Sequence, residues 1–397
     1  MCRRCSIDMI ASIAAMPIAL VAGALLFFVP APSSDAFELE AQLDGVVDNV
    51  HIESDPTSGD SAPYSWHEDV LRPHSEYIRL HVASVDIPAN TAASLALRDQ
   101  TGAIVRRYTI RELQELTPFW TVAVTGDHAQ IVVEGDRVPD GFQIVFDKIA
   151  YQTEAGAPLS TYGNDRKQPI RDYLDDRIVS EIQSAVAKLL FIKDGLPRVC
   201  TGFLFENDLL LTNHHCISDQ ATCDTAVALF GYQVTPDGRL EAGEQYECLN
   251  IDDEKVDYEL DYAVVRLARS PGMVWGHLEL AGVDPVSAAA DASDEENLGL
   301  FVVQHPAGYP KMISYKGCGS TAAPVDGRSP GSDFTHRCDT LGGSSGSPIV
   351  DLQGRVVGLH HYGFGDGEGQ ADAWHENRAV RMSRIVPRLE IEDIDCP

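Results

Sequence analysis

Short segments in which apolar and polar side chains alternate, each closed by a turn signal, constrain this chain most. In Tyr77-Ile78-Arg79-Leu80-His81-Val82, the apolar Ile78, Leu80 and Val82 share one face, the two-residue period of a half-buried strand. Similar runs follow at 93–97, 103–108, 119–124, 130–133 and 142–149, separated by signals such as Asp99-Gln100-Thr101-Gly102 and Thr125-Gly126-Asp127. Many short strands at this spacing predict an antiparallel β-sandwich over residues 37–150. The polar start of that region, 37–73, carries Asp-Pro, Ser-Gly and Ala-Pro breaks and reads as loop. No catalytic constellation falls in it, and His67, His74, His81 and His128 read as surface polar residues.

Residues 151–180 change character, with Gly-Ala-Pro, Gly163-Asn164-Asp165 and a charged run, and read as a linker and possible processing region. Strand-like segments then resume at 185–192, 200–205 and 209–216 and continue to 356–359. A second all-β unit over 181–397 is expected, without a long amphipathic helix.

A length of 397 residues fits two domains plus a targeting segment. Sixty acidic against 30 basic residues give a net charge of −30, a field that repels phosphate backbones and anionic lipids and so argues against nucleic acid as a partner. Arg3 and Arg4 precede an apolar run from about 10 to 29, and the small residues Ser34 and Ala36 suit a cleavage site. Residues 1–36 therefore read as a signal peptide, with a secreted or periplasmic product. The alternative is an uncleaved anchor, because a run of that length also spans a bilayer; membrane association is expected only if the segment is retained. Outside it stand Cys200, Cys216, Cys223, Cys248, Cys318, Cys338 and Cys396, which in an oxidising compartment form disulfides with one left over. These seven contain no closely spaced pair of the kind that holds zinc, and neither a metal nor a cofactor is expected.

One stretch carries chemistry. In Asp339-Thr340-Leu341-Gly342-Gly343-Ser344-Ser345-Gly346-Ser347-Pro348, a serine between glycines precedes an apolar strand. Glycines let the backbone take positive φ and turn free N–H groups toward a substrate carbonyl. Alone this could be a surface loop, since a serine hydroxyl needs a base and an orienting carboxylate. A base stands in Leu211-Thr212-Asn213-His214-His215-Cys216, just after a strand and beside a cysteine able to pin it. A buried structural histidine is the plainer reading, and adjacent residues on a strand face opposite ways, which disfavours a His214-His215 metal pair. A carboxylate stands in Leu260-Asp261-Tyr262-Ala263-Val264-Val265, where an aspartate opening an apolar strand calls for a buried partner. Asp257 is the weaker candidate.

Taken together, His215, Asp261 and Ser345 in that order resemble the triad of trypsin/chymotrypsin-like serine peptidases, over roughly residues 160–390. The resemblance implies a chymotrypsin-like double β-barrel and peptide hydrolysis through an acyl-enzyme. It casts Ser345 as nucleophile, His215 as proton shuttle, Asp261 as orienting group, and the N–H groups of Gly343 and Ser345 as the oxyanion hole. Cys200 with Cys216 matches the family's histidine-loop disulfide; Cys223 with Cys248 and Cys318 with Cys338 are the further pairs expected, which leaves Cys396 over. The sandwich is similar to accessory domains of secreted peptidases.

Within the family, Tyr162-Gly163-Asn164-Asp165-Arg166-Lys167-Gln168, Gly-Ser-Ser-Gly-Ser-Pro and Val303-Gln304-His305-Pro306-Ala307-Gly308 are similar to bacterial glutamyl endopeptidases. Ser344 stands where trypsin-like zymogens carry an activating aspartate. The pocket residues implied are Asp339, Thr340, His360, Tyr362 and Gly363. Among them Asp339 lies where trypsin selects Arg or Lys, and His360 where glutamyl endopeptidases meet an acidic side chain. The reading leans to cleavage after acidic residues of protein or peptide substrates. A trypsin-like preference through Asp339 and a non-catalytic binding protein on the same fold are the alternatives. His361 also replaces the serine usual next to the orienting aspartate.

Overall fold

The structure, a computed structural model, describes residues 39–54, 64–88, 91–137, 141–152, 159–161, 164–288, 296–363 and 376–389. The signal segment, Tyr162-Gly163 and Cys396 lie outside the described residues.

Two antiparallel sheets build the sandwich. One runs Tyr64–Leu71, His128–Arg137, Ala92–Asp99, Ile104–Thr109; the other runs Gly45–Glu53, Gln143–Gln152, Tyr77–Asp86, with Phe119–Trp120 and Val124–Thr125 pairing onto Tyr77–Asp86. Their inner faces bury Ile78, Leu80, Val82, Leu95, Leu97, Ile131, Val133, Ile144 and Phe146, the alternation along each strand that places every second side chain inside.

Three local expectations are corrected. The segment read as loop over 37–73 holds the strands Gly45–Glu53 and Tyr64–Leu71. Its Val50 and Ile52 alternate with polar residues and pack on the sandwich core. The run 119–124 is two short strands rather than one, because side chains take over the ladder between them. Leu80 N–H donates to Thr121 Oγ1 at 3.0 Å, and Ala123 N–H to Gln245 Oε1 at 2.8 Å. A helix, Ile110–Leu116, was not expected. It starts at a capping box in which Thr109 Oγ1 accepts from Glu112 N–H while Glu112 Oε2 accepts from Thr109 N–H at 2.7 Å.

Downstream, six strands close a barrel: Leu196–Leu204, Val186–Lys193, Val227–Phe230, Glu244–Asp257, Tyr262–Leu267 and Leu209–Thr212, the last pairing back onto the first. A second sheet of eight strands curls beside it, in the order Gln168–Pro169, Met312–Ser314, Leu300–Gln304, Pro348–Asp351, Val356–Tyr362, Asn377–Arg381, Asp333–His336, Ser320–Val325. The architecture is all-β, a sandwich followed by a chymotrypsin-like double β-barrel. Between 151 and 185 the chain forms the helix Arg177–Ser184, whose first N–H groups are capped by Asp176 and whose Val179 and Ile182 are buried.

Sandwich and barrels share a seam. Gln42–Leu43 adds to the edge of the closed barrel, with Gln42 opposite Val199 and Leu43 opposite Arg198. Leu159–Ser160 pairs with Thr340–Leu341 just ahead of the glycine-rich bend. Leu190, Val199 and Val227 of the barrel join the sandwich core, and the buried Arg79 donates to Thr225 O at 2.7 Å. Asp44 is also buried in this seam, where its Oδ2 has no hydrogen-bond partner among the described residues.

Candidate active site

His215 follows the fully buried strand Leu209–Thr212 and is fixed through its neighbour, since Cys216 is disulfide-bonded to Cys200 on Leu196–Leu204. Cys223–Cys248 and Cys318–Cys338 are bonded as well. With Cys200 and Cys216 oxidised, neither sulfur is a thiolate, so their cluster with His215 has no metal-ligating set. Asp261 sits one residue before Tyr262–Leu267 at φ 44°, a left-handed conformation that aspartate tolerates better than most residues. Asn213 Nδ2 holds its carbonyl at 2.8 Å.

These placements bring His215 and Asp261 together. His215 Nδ1 lies 2.8 Å from Asp261 Oδ2, and His215 N–H donates to Asp261 Oδ1 at 3.0 Å. Two further groups reach the same carboxylate: Arg328 Nη1 at 3.1 Å from Oδ1, and His361 Nδ1 at 3.2 Å from Oδ2. His361 in turn places Nε2 2.8 Å from Asp333 Oδ2. Burial of Asp261 favours its neutral acid, but the facing His215 and His361 outweigh it and hold the carboxyl well below the usual range. Burial likewise disfavours a charged His361, yet Asp333 and Asp261 raise its pKa to about 9.

Ser345 is half-buried on the bend. Its carbonyl accepts from Thr201 N–H at 2.8 Å, and Thr201 Oγ1 donates to Gly343 O at 2.9 Å, so the Ser345 bend and the segment bearing His215 both hang on one short piece of barrel, Cys200-Thr201. Gly346, at φ +87°, has no room for a side chain, because a Cβ would lie 2.0 Å from Thr201 O. Among the described residues, Ser345 Oγ makes no hydrogen bond; bonds between a serine and its base often tighten only when substrate arrives. Gly342 O is turned away to accept from Ala307 N–H at 2.6 Å, and the N–H groups of Gly343 and Ser345 have no acceptor among the described residues.

Ser344 is buried and bonds Gln304 Oε1 at 2.5 Å, a neutral contact where an aspartate would need a cation. Asp339 is buried and accepts from Arg166 N–H at 3.0 Å and Arg166 Nε at 3.3 Å, so this carboxylate already has a basic partner from the chain itself. Thr340 is buried, and its Oγ1 has no hydrogen-bond partner among the described residues. His360 Nδ1 lies 3.1 Å from His336 Nε2. Burial, with His336 next, pushes the pKa of His360 well below the ordinary value, so it is neutral near pH 7. Tyr362 is buried and Gly363 half-buried at the end of the same strand. Sequence reasoning missed Asp333, Arg328 and Arg166. Its one pointer to the first two was a histidine at 361 in place of a serine.

Residues 200–359 match the family model of the trypsin-like peptidase domain. A secreted RxLR effector protein of Plasmopara viticola is 31% identical over 203 residues, 45% of each chain. The uncharacterized protein y4fB of Sinorhizobium fredii is 30% identical over 208 residues, 49% of this chain and 30% of that one. The chain thus spans less than half the length of the curated relatives it matches. A solved Glu endopeptidase is similar over 58% of this chain and 97% of its own at 17% identity and a TM-score of 0.40. The Rv3671c protease of M. tuberculosis in its active form is similar over 60% and 91% at 16% identity and a TM-score of 0.38. Both overlaps are too loose to bear on function. Over residues 200–359, therefore, the chain is similar to trypsin-like peptidase domains.

Proposed function

We propose that the protein is exported and hydrolyses protein or peptide substrates through an acyl-enzyme, with a preference for cleavage after acidic residues. Ser345 Oγ attacks the scissile carbonyl and gives its proton to His215 Nε2. Asp261 fixes the His215 Nδ1–H tautomer and stabilises the imidazolium, and the oxyanion sits against Gly343 and Ser345 N–H. His215 then protonates the departing amine, and a water activated by His215 releases the acid. The observation that carries this reading is the buried His215–Asp261 pair at 2.8 Å, set on the same scaffold as a serine whose flanking amides are unpartnered. Losing one such amide typically costs about 2.7–4 kcal/mol of barrier.

Two observations favour acidic substrates. Asp339 is already paired with Arg166, whereas His360 is buried beside His336 with no carboxylate bonded to its ring among the described residues. A carboxylate entering there would favour protonation of the histidine pair and so create its own ionic partner. Thr340, Tyr362 and Gly363 complete the pocket in this reading. Three disulfides suit an oxidising compartment; among the described residues no helix is long and apolar enough to cross a membrane. The test is fluorophosphonate labelling followed by a peptide-library profile. An adduct at Ser345 that S345A abolishes, and a profile led by Glu, are expected. Absence of the adduct would restore the non-catalytic reading, and a profile led by Arg or Lys would return selection to Asp339.

A further inference from the structure

We propose that His361, clamped between Asp261 and Asp333, is a positioning residue of the peptidase centre that acts as a fixed cation behind the orienting carboxylate. The proposal rests on the triad reading given above. Its ground is a complete accounting of Asp261. Each carboxylate oxygen accepts two donors: Oδ1 takes His215 N–H and Arg328 Nη1, and Oδ2 takes His215 Nδ1 and His361 Nδ1. Two donors come from the base, which the carboxylate must aim; the other two come from outside it. His361 is the more deeply set of these, buried with both ring nitrogens engaged, and so is its far partner Asp333. Ser332 Oγ holds Asp333 Oδ1 at 2.6 Å.

The charges around His361 come from every side. The turn before Tyr262–Leu267 supplies Asp261, and Asp333–His336 supplies Asp333 and a neutral His336. The 326–331 loop supplies Arg328, His361's own strand supplies a neutral His360, Asn377–Arg381 supplies Arg378, and His215 stands across the carboxylate. A carboxylate beside an imidazole stabilises the imidazolium and keeps the base protonated to higher pH. A cation on the far oxygen draws on the same carboxylate and offsets part of that pull, so its removal should show in the acid limb of the pH profile. It also leaves Asp261 no lone pair with which to rotate away from His215.

The experiment is a pH profile of kcat/KM for the full chain carrying H361S, and for the paired replacement H361S with D333N. The pair leaves no buried carboxylate stranded and therefore decides the matter if the single variant does not fold. The acid limb is expected to move to higher pH, by roughly one unit in H361S and less in the pair, with KM within about twofold. A merely structural histidine would lower Tm and leave the limb in place. An active pair variant whose acid limb coincides with wild type overturns the proposal alone. A wild-type chain that takes no label at Ser345 overturns the peptidase reading and this proposal with it.

Discussion

Asp261 and Asp44 are two aspartates removed from water, one behind the base and one in the seam, and they end in opposite states. Asp261 is met by four donors and is held ionised well below the usual range. Among the described residues Asp44 Oδ2 has no hydrogen-bond partner and Oδ1 is 3.4 Å from Gln152 Nε2, with the Tyr77 hydroxyl also acting on the carboxylate. Its burial outweighs the nearby Lys188 and raises the pKa to about 6. Burial pushes both acids the same way; the charge and hydrogen bonds that His215 and His361 bring outweigh it at Asp261, while Lys188, Tyr77 and Gln152 do not at Asp44. A buried carboxylate is therefore a working part only where the chain has surrounded it.

That contrast breaks most sharply in activity. D261N keeps the shape but loses the charge and the tautomer it selects, and should lower kcat/KM by about 10⁴-fold. D44N should leave kcat/KM within about threefold of wild type. Comparable losses in both would mean that the seam, not the donor set, controls the site.

In stability the contrast runs with pH. The pKa of Asp44 is higher folded than unfolded, so the native state holds the proton longer and ionisation weighs against folding. Relative to D44N, wild type should lose stability as pH rises from about 4 to 6 and then level off, by at most about 3 kcal/mol. His361, raised to about 9, stabilises fully below its unfolded pKa near 6.5, and that contribution is lost as pH rises through 9. Thermal unfolding across pH 4–9 reads both slopes. A D44N curve parallel to wild type between pH 4 and 6 would refute the first.

The smallest effect belongs to Arg328. R328Q keeps a donor for Asp261 Oδ1 but removes its charge, and should raise the acid limb by about half a unit or less. A shift larger than that of H361S would make Arg328, rather than His361, the controlling cation.

The residues proposed to carry the chemistry were legible because each stands beside its own strand signal: His215 after 209–212, Asp261 before 262–267, Ser345 before 348–351. What surrounds them was not. Arg166 reaches Asp339 across 173 positions, and Asp333 meets His361 from 28 away, so neither partner leaves a local pattern. Competition between Asp339 and His360 was thus open in sequence, and it is weighted in space by one arginine. In the sandwich, the breaks at 55–63 hid two strands whose own alternation was plain. A capping box spelled Thr109-Ile110-Arg111-Glu112 was passed over because the helix it opens runs only Ile110–Leu116.

The sandwich is stitched to the barrels on both of its ends. Gln42–Leu43 enters along the closed barrel and Leu159–Ser160 leaves along Thr340–Leu341, with an apolar core shared between. One cut in the segment joining them would therefore nick the molecule without parting it, since the severed sandwich keeps its strand in the barrel edge. Shedding would take more, the peeling of Gln42–Leu43 and the opening of the shared apolar core. A nicked enzyme should migrate as two bands when denatured and as one particle when native.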